Sequence, residues 1–185
     1  MGYSEQNLQR KKEIEDGLLA LMQEIPYDQI TVKDLTEHLH IARKTFYHYF
    51  SNKWDCLKSL TERLLYECTL QVMQEVPQGD TADVCRSRLR YWIKHKAFLD
   101  AINRNKLSFF FLNRTIKYIR KEEANLQQSL STPDTQYDED ILFFYMSGQI
   151  FLLLKWSEEG FPLSLEEMVK KYLRLVEQPL IYTKP

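Results

Sequence analysis

Residues 30 to 53 read ITVKDLTEHLHIARKTFYHYFSNK, a short apolar segment followed at once by a basic and aromatic one. Thr31 stands where a side-chain oxygen caps a helix, and Asp34, three residues on, completes a capping box. Val32, Leu35 and Leu39 then recur at helical spacing and mark one buried face. Ile41 closes the turn. A second helix is expected from Arg43 to about Tyr49. Phe46 and Phe50 take its inner side, so Arg43, Lys44, Tyr47 and His48 face outward, where they can reach base edges. Two short helices in this order, the second with cations and rings on its free face, are the layout of a DNA-reading helix-turn-helix.

The flanking segments read as helices too. One is expected from about Ser4 to Ile25, with Ile14, Leu18, Leu21, Met22 and Ile25 on one face, and Pro26 ends it. Arg10, Lys11 and Lys12 near its start are either a solvated face or phosphate contacts. Ser51 or Asn52 caps a fourth helix carrying Trp54, Leu57, Leu60 or Thr61, Leu64 and Cys68. Pro77, Gly79 and Asp80 break the pattern, which sets a domain boundary between about Leu65 and Asp80 unless the fourth helix runs across it.

From Thr81 onward amphipathic stretches follow one another. They are Leu89, Trp92, Ile93 and Lys96, then Phe98, Leu99 and Ile102, then Leu107 to Arg120. Asn125 to Tyr137, NLQQSLSTPDTQY, reads as a polar loop and the best candidate for disorder. Two stronger helices close the chain. The first opens at Asp138, Glu139 and Asp140, runs through Phe144, Gly148, Phe151 and Trp156, and stops at Gly160 and Pro162. Ser164 and Glu167 form a capping box for the second, which carries Leu165, Met168, Val169, Tyr172, Leu173 and Val176 and ends at Pro179. No strand-like alternation of any length competes, so the fold class is all-α.

Bulk charge does not single out a nucleic acid: 25 Lys and Arg face 26 Asp and Glu. Distribution does better, since His38 to Trp54 contains no acid while Arg43, Lys44 and Lys53 are positive. A phosphate feels the local field, within a Debye length of about 8 Å. Cys56, Cys68 and Cys85 form no close pair, so neither a disulfide framework nor a zinc site is expected. His38 and His40 read as plain surface residues, and no metal or cofactor is assigned. No apolar run approaches the ~20 residues of a membrane span, and the polar N-terminus is unlike a signal peptide, so a cytoplasmic protein is expected. Glycine-rich phosphate loops, nucleophile elbows and H-E-x-x-H motifs are absent from the sequence, which argues against an enzyme.

Arg43, Thr45, Phe46, Tyr47, Phe50 and Lys53 spell R-x-T-F-Y-x-x-F-x-x-K after a threonine-led helix. In this the chain resembles the N-terminal domain of the TetR/AcrR family of bacterial regulators. The resemblance covers roughly the first third of the chain and is one of architecture beyond that. It implies a three-helix helix-turn-helix domain over residues 1–66 and a helical effector-binding and dimerisation domain over 67–185. By position, Arg43, Lys44, Tyr47 and His48 become base readers, with Lys33 also in reach, while Thr31, Thr45, Tyr49 and Lys53 hold phosphates. For Tyr47 and Tyr49 the alternative is core packing.

A lone helix-turn-helix buries too little to discriminate a genomic site, so a homodimer on a pseudo-palindromic operator is expected. Its face is assigned to the last two helices, 138–157 and 164–178, where the small Gly148 would allow close approach. The same stripe packing on its own domain is the alternative. The resemblance further implies a repressor released from DNA by a small hydrophobic effector. Trp92, Phe98, Phe110, Tyr118, Phe144 and Trp156 either line its pocket or are simply core. The runner-up is a helical adaptor or co-activator whose C-terminal domain binds a protein partner, as some members of the family do. Two departures bear on the reading helix: His40 stands where the family has glycine, and Ala42 where serine commonly caps. If the turn needs positive φ, His40 costs ~1 kcal/mol, and the missing cap at Ala42 costs ~1 kcal/mol as well.

Overall fold

Thr31 Oγ1 accepts the Asp34 amide at 3.1 Å and the Asp34 carboxylate accepts the Thr31 amide at 2.8 Å, so the capping box starts α2 (Val32–His38) as the sequence predicts. His40 in the following turn has φ +52°, and the Ile41 amide donates back to the Thr36 carbonyl at 2.9 Å. α3 (Arg43–Tyr49) then begins at Ala42, which is extended and supplies no side-chain cap. Both departures are therefore realised in the backbone. Burial of Phe46 and Phe50, each nearly free of solvent contact, holds the helix instead.

The structure, a computed structural model, describes residues 3–78, 80–130 and 139–177. Among these, nine helices and no strand are found. α1 (Tyr3–Glu24) buries Ile14, Leu18, Leu21 and Met22 against Leu35, Phe46 and Phe50, and α4 (Lys53–Glu75) closes this head with Leu57, Leu60 and Leu64. Gly17 sits where α1 meets α2: a Cβ there would lie 2.7 Å from the Leu39 side chain. Asn52 caps α4 by accepting the Asp55 amide at 3.0 Å. α4 continues without a break past residue 66, so one helix belongs to both halves of the chain.

The second half is a bundle of α5 (Thr81–Lys94), α6 (Lys96–Arg104), α7 (Ser108–Leu130), α8 (Glu139–Glu158) and α9 (Leu165–Glu177). α4 packs on α5 and α7, α8 on α6 and α7, and α9 on α5. α6 also lies against α1, so the head rests on the body. The Tyr27 amide donates to Asn105 Oδ1 at 2.6 Å, and Gln23 Nε2 to the Ala97 carbonyl at 3.0 Å. Asp80 caps α5, and Ser164 with Glu167 forms the expected capping box of α9.

The polar segment read as a loop is partly helix. α7 extends to Leu130, because Leu and Gln in NLQQSL are good helix formers and the segment holds no breaker. The rest of that segment, with Gly79, Asp138 and Pro179, lies outside the described residues. The stretch from Thr81 to Ile102 is two helices, since His95 ends α5 and starts α6. No helix among the described residues is long and apolar enough to cross a membrane.

Candidate nucleic-acid interface

With Phe46 inward, the helical repeat turns Arg43, Lys44, Tyr47 and His48 out together, and all four are exposed, Tyr47 at 55%. Arg43 and Lys44 have no ion pair among the described residues, so both charges are open to an incoming anion. The Tyr47 ring meets Phe46 edge-on at 5.5 Å.

The other predicted contacts divide by their geometry. Lys33 is exposed on α2 and paired loosely with Glu37 at 3.7 Å, an interaction a phosphate can displace. Thr45 is half-buried on α3. The Thr31 hydroxyl donates to Asp34 at 2.7 Å within the capping box, and those bonds hold the Asp34 carboxyl below the usual carboxylate range. Tyr49 is half-buried and its hydroxyl donates to Asn7 Oδ1 at 3.0 Å, tying α3 to the start of α1.

Lys53 is placed differently from its neighbours. Its ammonium donates to the carbonyls of Tyr27, Asp28 and Ile30 at 2.7, 2.9 and 2.6 Å and lies 4.7 Å from the centre of the Tyr27 ring. All three protons are thus engaged by the turn between α1 and α2, and burial lowers its pKa against the pull of Asp28 and Asp34. The head is braced further by Arg63 on α4, which bonds the buried Glu15 of α1 at 2.5 Å and also reaches Asp16 and Glu67.

In the body, α4, α5, α7, α8 and α9 line a partly open cavity of about 470 Å³. Of the six aromatic residues considered for an effector, Trp92 and Tyr118 line it. The other four lie elsewhere. Phe98 is core behind the wall, its ring 5.9 Å from Trp92 and 5.5 Å from Phe111. Phe110 rests on Trp54 at 4.6 Å, and Trp156 is buried against Phe161 with its indole N–H on the Leu163 carbonyl. Phe144 is 74% exposed on α8. Arg88 also lines the cavity and was not singled out from the sequence, although Cys85, Arg88, Leu89 and Trp92 share one helical face. The three thiols are buried, which raises the pKa of each, and Cys68 and Cys85 form part of the cavity wall.

Residues 14–60 match the family described as bacterial regulatory proteins, tetR family. Over 178 residues the chain is 22% identical to an uncharacterised HTH-type transcriptional regulator, YxbF, of Bacillus subtilis (strain 168). That alignment takes in 92% of this chain but only 45% of the relative, so the chain spans about half its length. A TetR-family transcriptional regulator from Syntrophomonas wolfei shares the fold with a TM-score of 0.68 at 18% identity, over 96% of this chain and 100% of that one. The dihydroxyacetone kinase operon activator DhaS does so at 0.55 and 22%, over 91% and 94%. The head thus matches the tetR family of bacterial regulatory proteins over residues 14–60, and the chain as a whole shares the fold of solved TetR-family regulators.

Proposed function

We propose that the chain is a repressor that binds a pseudo-palindromic operator as a homodimer and leaves it when a small hydrophobic effector fills the body cavity. The observation that carries this is the free face of α3: two unpaired cations and two polar rings with no acid from His38 to Trp54 to oppose them. Arg43 and Lys44 suit guanine edges in the major groove, each good contact giving ~1–3 kcal/mol of discrimination. Tyr47 and His48 extend the reading surface. Lys33 is also within reach of base edges, and Thr31, Thr45 and Tyr49 take phosphates, which set register. Lys53 contributes from behind by holding the turn that positions α2.

The dimer face is assigned to α8 and α9. Phe143, Phe144, Tyr145 and Phe151 are exposed on α8, Leu175 is exposed on α9, and a Cβ on Gly148 would meet nothing within 4 Å. Apolar surface of that kind is what a second copy covers. It would serve a protein partner as well, which is the adaptor or co-activator reading. Sedimentation of the pure protein separates the two, a lone dimer favouring the first. For DNA, genomic fragments are captured on the protein and the enriched site is tested by gel shift with Tyr47→Ala. Loss of the shift with sedimentation unchanged is expected; a variant that binds as tightly would overturn the assignment.

A further inference from the structure

The walls of the body cavity are mostly apolar, with Leu65, Leu89, Phe111, Ile150 and Leu153 among them. Arg88 on α5 is the charged residue in this lining. Its hydrogen bond is a long one, from Nη1 to Gln149 Oε1 at 3.3 Å. Its helical neighbours are paired, Arg86 with Glu166 and Asp83, and Arg90 with Glu75, yet no carboxylate among the described residues pairs with Arg88. The groups that feel its charge are Cys68, Cys85 and Tyr172, from α4, α5 and α9. All three are neutral, since burial raises their pKa values.

A second donor belongs to the same lining. The Tyr118 hydroxyl on α7 is buried beside Thr69 and makes no well-formed hydrogen bond, while the Thr69 hydroxyl donates to the Leu65 carbonyl at 3.0 Å. Burial raises the Tyr118 pKa, so its proton stays available for donation. A guanidinium left without an anion on an apolar wall gains most from a ligand that brings two coplanar oxygens. Size limits the remainder: a cavity of about 470 Å³ suits a small ligand with a hydrocarbon chain of medium length.

We propose that the cavity takes an amphiphilic carboxylate with a medium-length hydrocarbon chain, its head on Arg88 and its body along Leu89, Trp92, Phe111 and Leu153. This rests on the reading of the cavity as the effector site and names the chemistry of the effector. Neutral molecules of the same length would leave the guanidinium unpaired, and zwitterions or sugars would leave polar groups against apolar walls.

Decanoate and decan-1-ol share a chain and differ in charge, so calorimetric titration of the full chain with each, without DNA, reads the anchor directly. Decanoate is expected to bind about ten- to a hundredfold more tightly, the range for hydrogen bonds to a charged group. Arg88→Met, which keeps length and apolar contact, should abolish that preference while leaving decan-1-ol affinity unchanged; Arg88→Lys should retain part of it. Thermal melting checks that both variants fold. Equal binding of the two ligands, binding of neither, or a preference that survives Arg88→Met would overturn the proposal. Release of operator DNA is measured separately. If decanoate binds through Arg88 but releases nothing, the anion site stands and the effector role falls; if decan-1-ol releases DNA as well as decanoate does, the effector role stands and the anion site falls.

Discussion

The Trp54 and Phe110 rings meet with centroids 4.6 Å apart, joining the first turn of α4 in the head to the first turn of α7 in the body. Trp54 also lies 6.0 Å from Tyr27, and the residue after Phe110, Phe111, lines the cavity. On the proposed function, a ligand that displaces α7 would act on the head through this ring contact. Phe110→Ala should keep operator affinity and ligand affinity but weaken their coupling, which for such systems is about 1–3 kcal/mol. The measurement is the ratio of operator Kd with and without saturating ligand; a ratio equal to that of the native chain would exclude this contact as the route.

Salt should weaken operator binding steeply. With roughly four phosphates engaged per half-site, a dimer releases about eight counterions, and log K falls by ~7 per decade of salt. Raising salt from ~50 to ~200 mM then costs about four decades of affinity. Fluorescence anisotropy across that range checks it, and a nearly flat response would contradict phosphate-driven docking.

Removing Arg63 should be among the most damaging single changes in the head. Glu15 is 1% exposed, and Arg63 is its ion-pair partner. Arg63→Met leaves a buried carboxylate uncompensated, a loss of about 3–5 kcal/mol. Urea unfolding should show it, and Glu15→Gln combined with Arg63→Met should recover much of the loss. Recovery of nothing would mean that packing of the arginine, not its charge, dominates.

Gly17→Ala tests how the head is assembled. The added Cβ would come within 2.7 Å of Leu39, at the end of α2 just before the turn. Overpacking costs about 1–3 kcal/mol, offset by about 1 kcal/mol of helix propensity. Melting should therefore change little or fall modestly, while operator affinity falls more, because Leu39 must shift and α3 follows it. Unchanged affinity with lowered stability would show that the strain is relieved elsewhere.

Acid should weaken the fold through three carboxylates with lowered pKa. Bonds from Thr31 lower Asp34, the Arg86 guanidinium lowers Glu166, and bonds from Ser164 lower Glu167. Groups lowered by folding stabilise fully above their unfolded values, about 4, and lose that effect as pH falls through the folded ones. Urea midpoints should hold near pH 6 and decline below about pH 4. Changing all three to amides should flatten that decline; a decline of the same size would place its origin elsewhere.

Local signals are the most legible in the sequence. The bounds of α3, the Thr31 and Ser164 capping boxes, the inward Phe46 and Phe50 and the uncapped Ala42 all follow from residues within one helical turn of each other. Non-local geometry escaped. Lys53 meets carbonyls more than twenty residues back in the chain, and Gly17 matters only because Leu39 crosses it. The cavity is assembled from five helices, so no single periodic pattern reveals that Trp92 and Tyr118 face it while Phe98 and Trp156 do not. The length of α7 is hidden for another reason: its last residues are polar, yet nothing from Asn125 to Leu130 stops a helix.

α3 is seated by Phe46 and Phe50, with no side-chain bond at its N-terminus and no ion pair on Arg43 or Lys44. The parts that fasten this element and the parts that address it are different atoms on opposite sides of one short cylinder. If the proposed reading face is correct, exchanging the outward side chains changes the base sequence addressed and leaves the buried anchors Phe46 and Phe50 in place, so the scaffold does not constrain specificity.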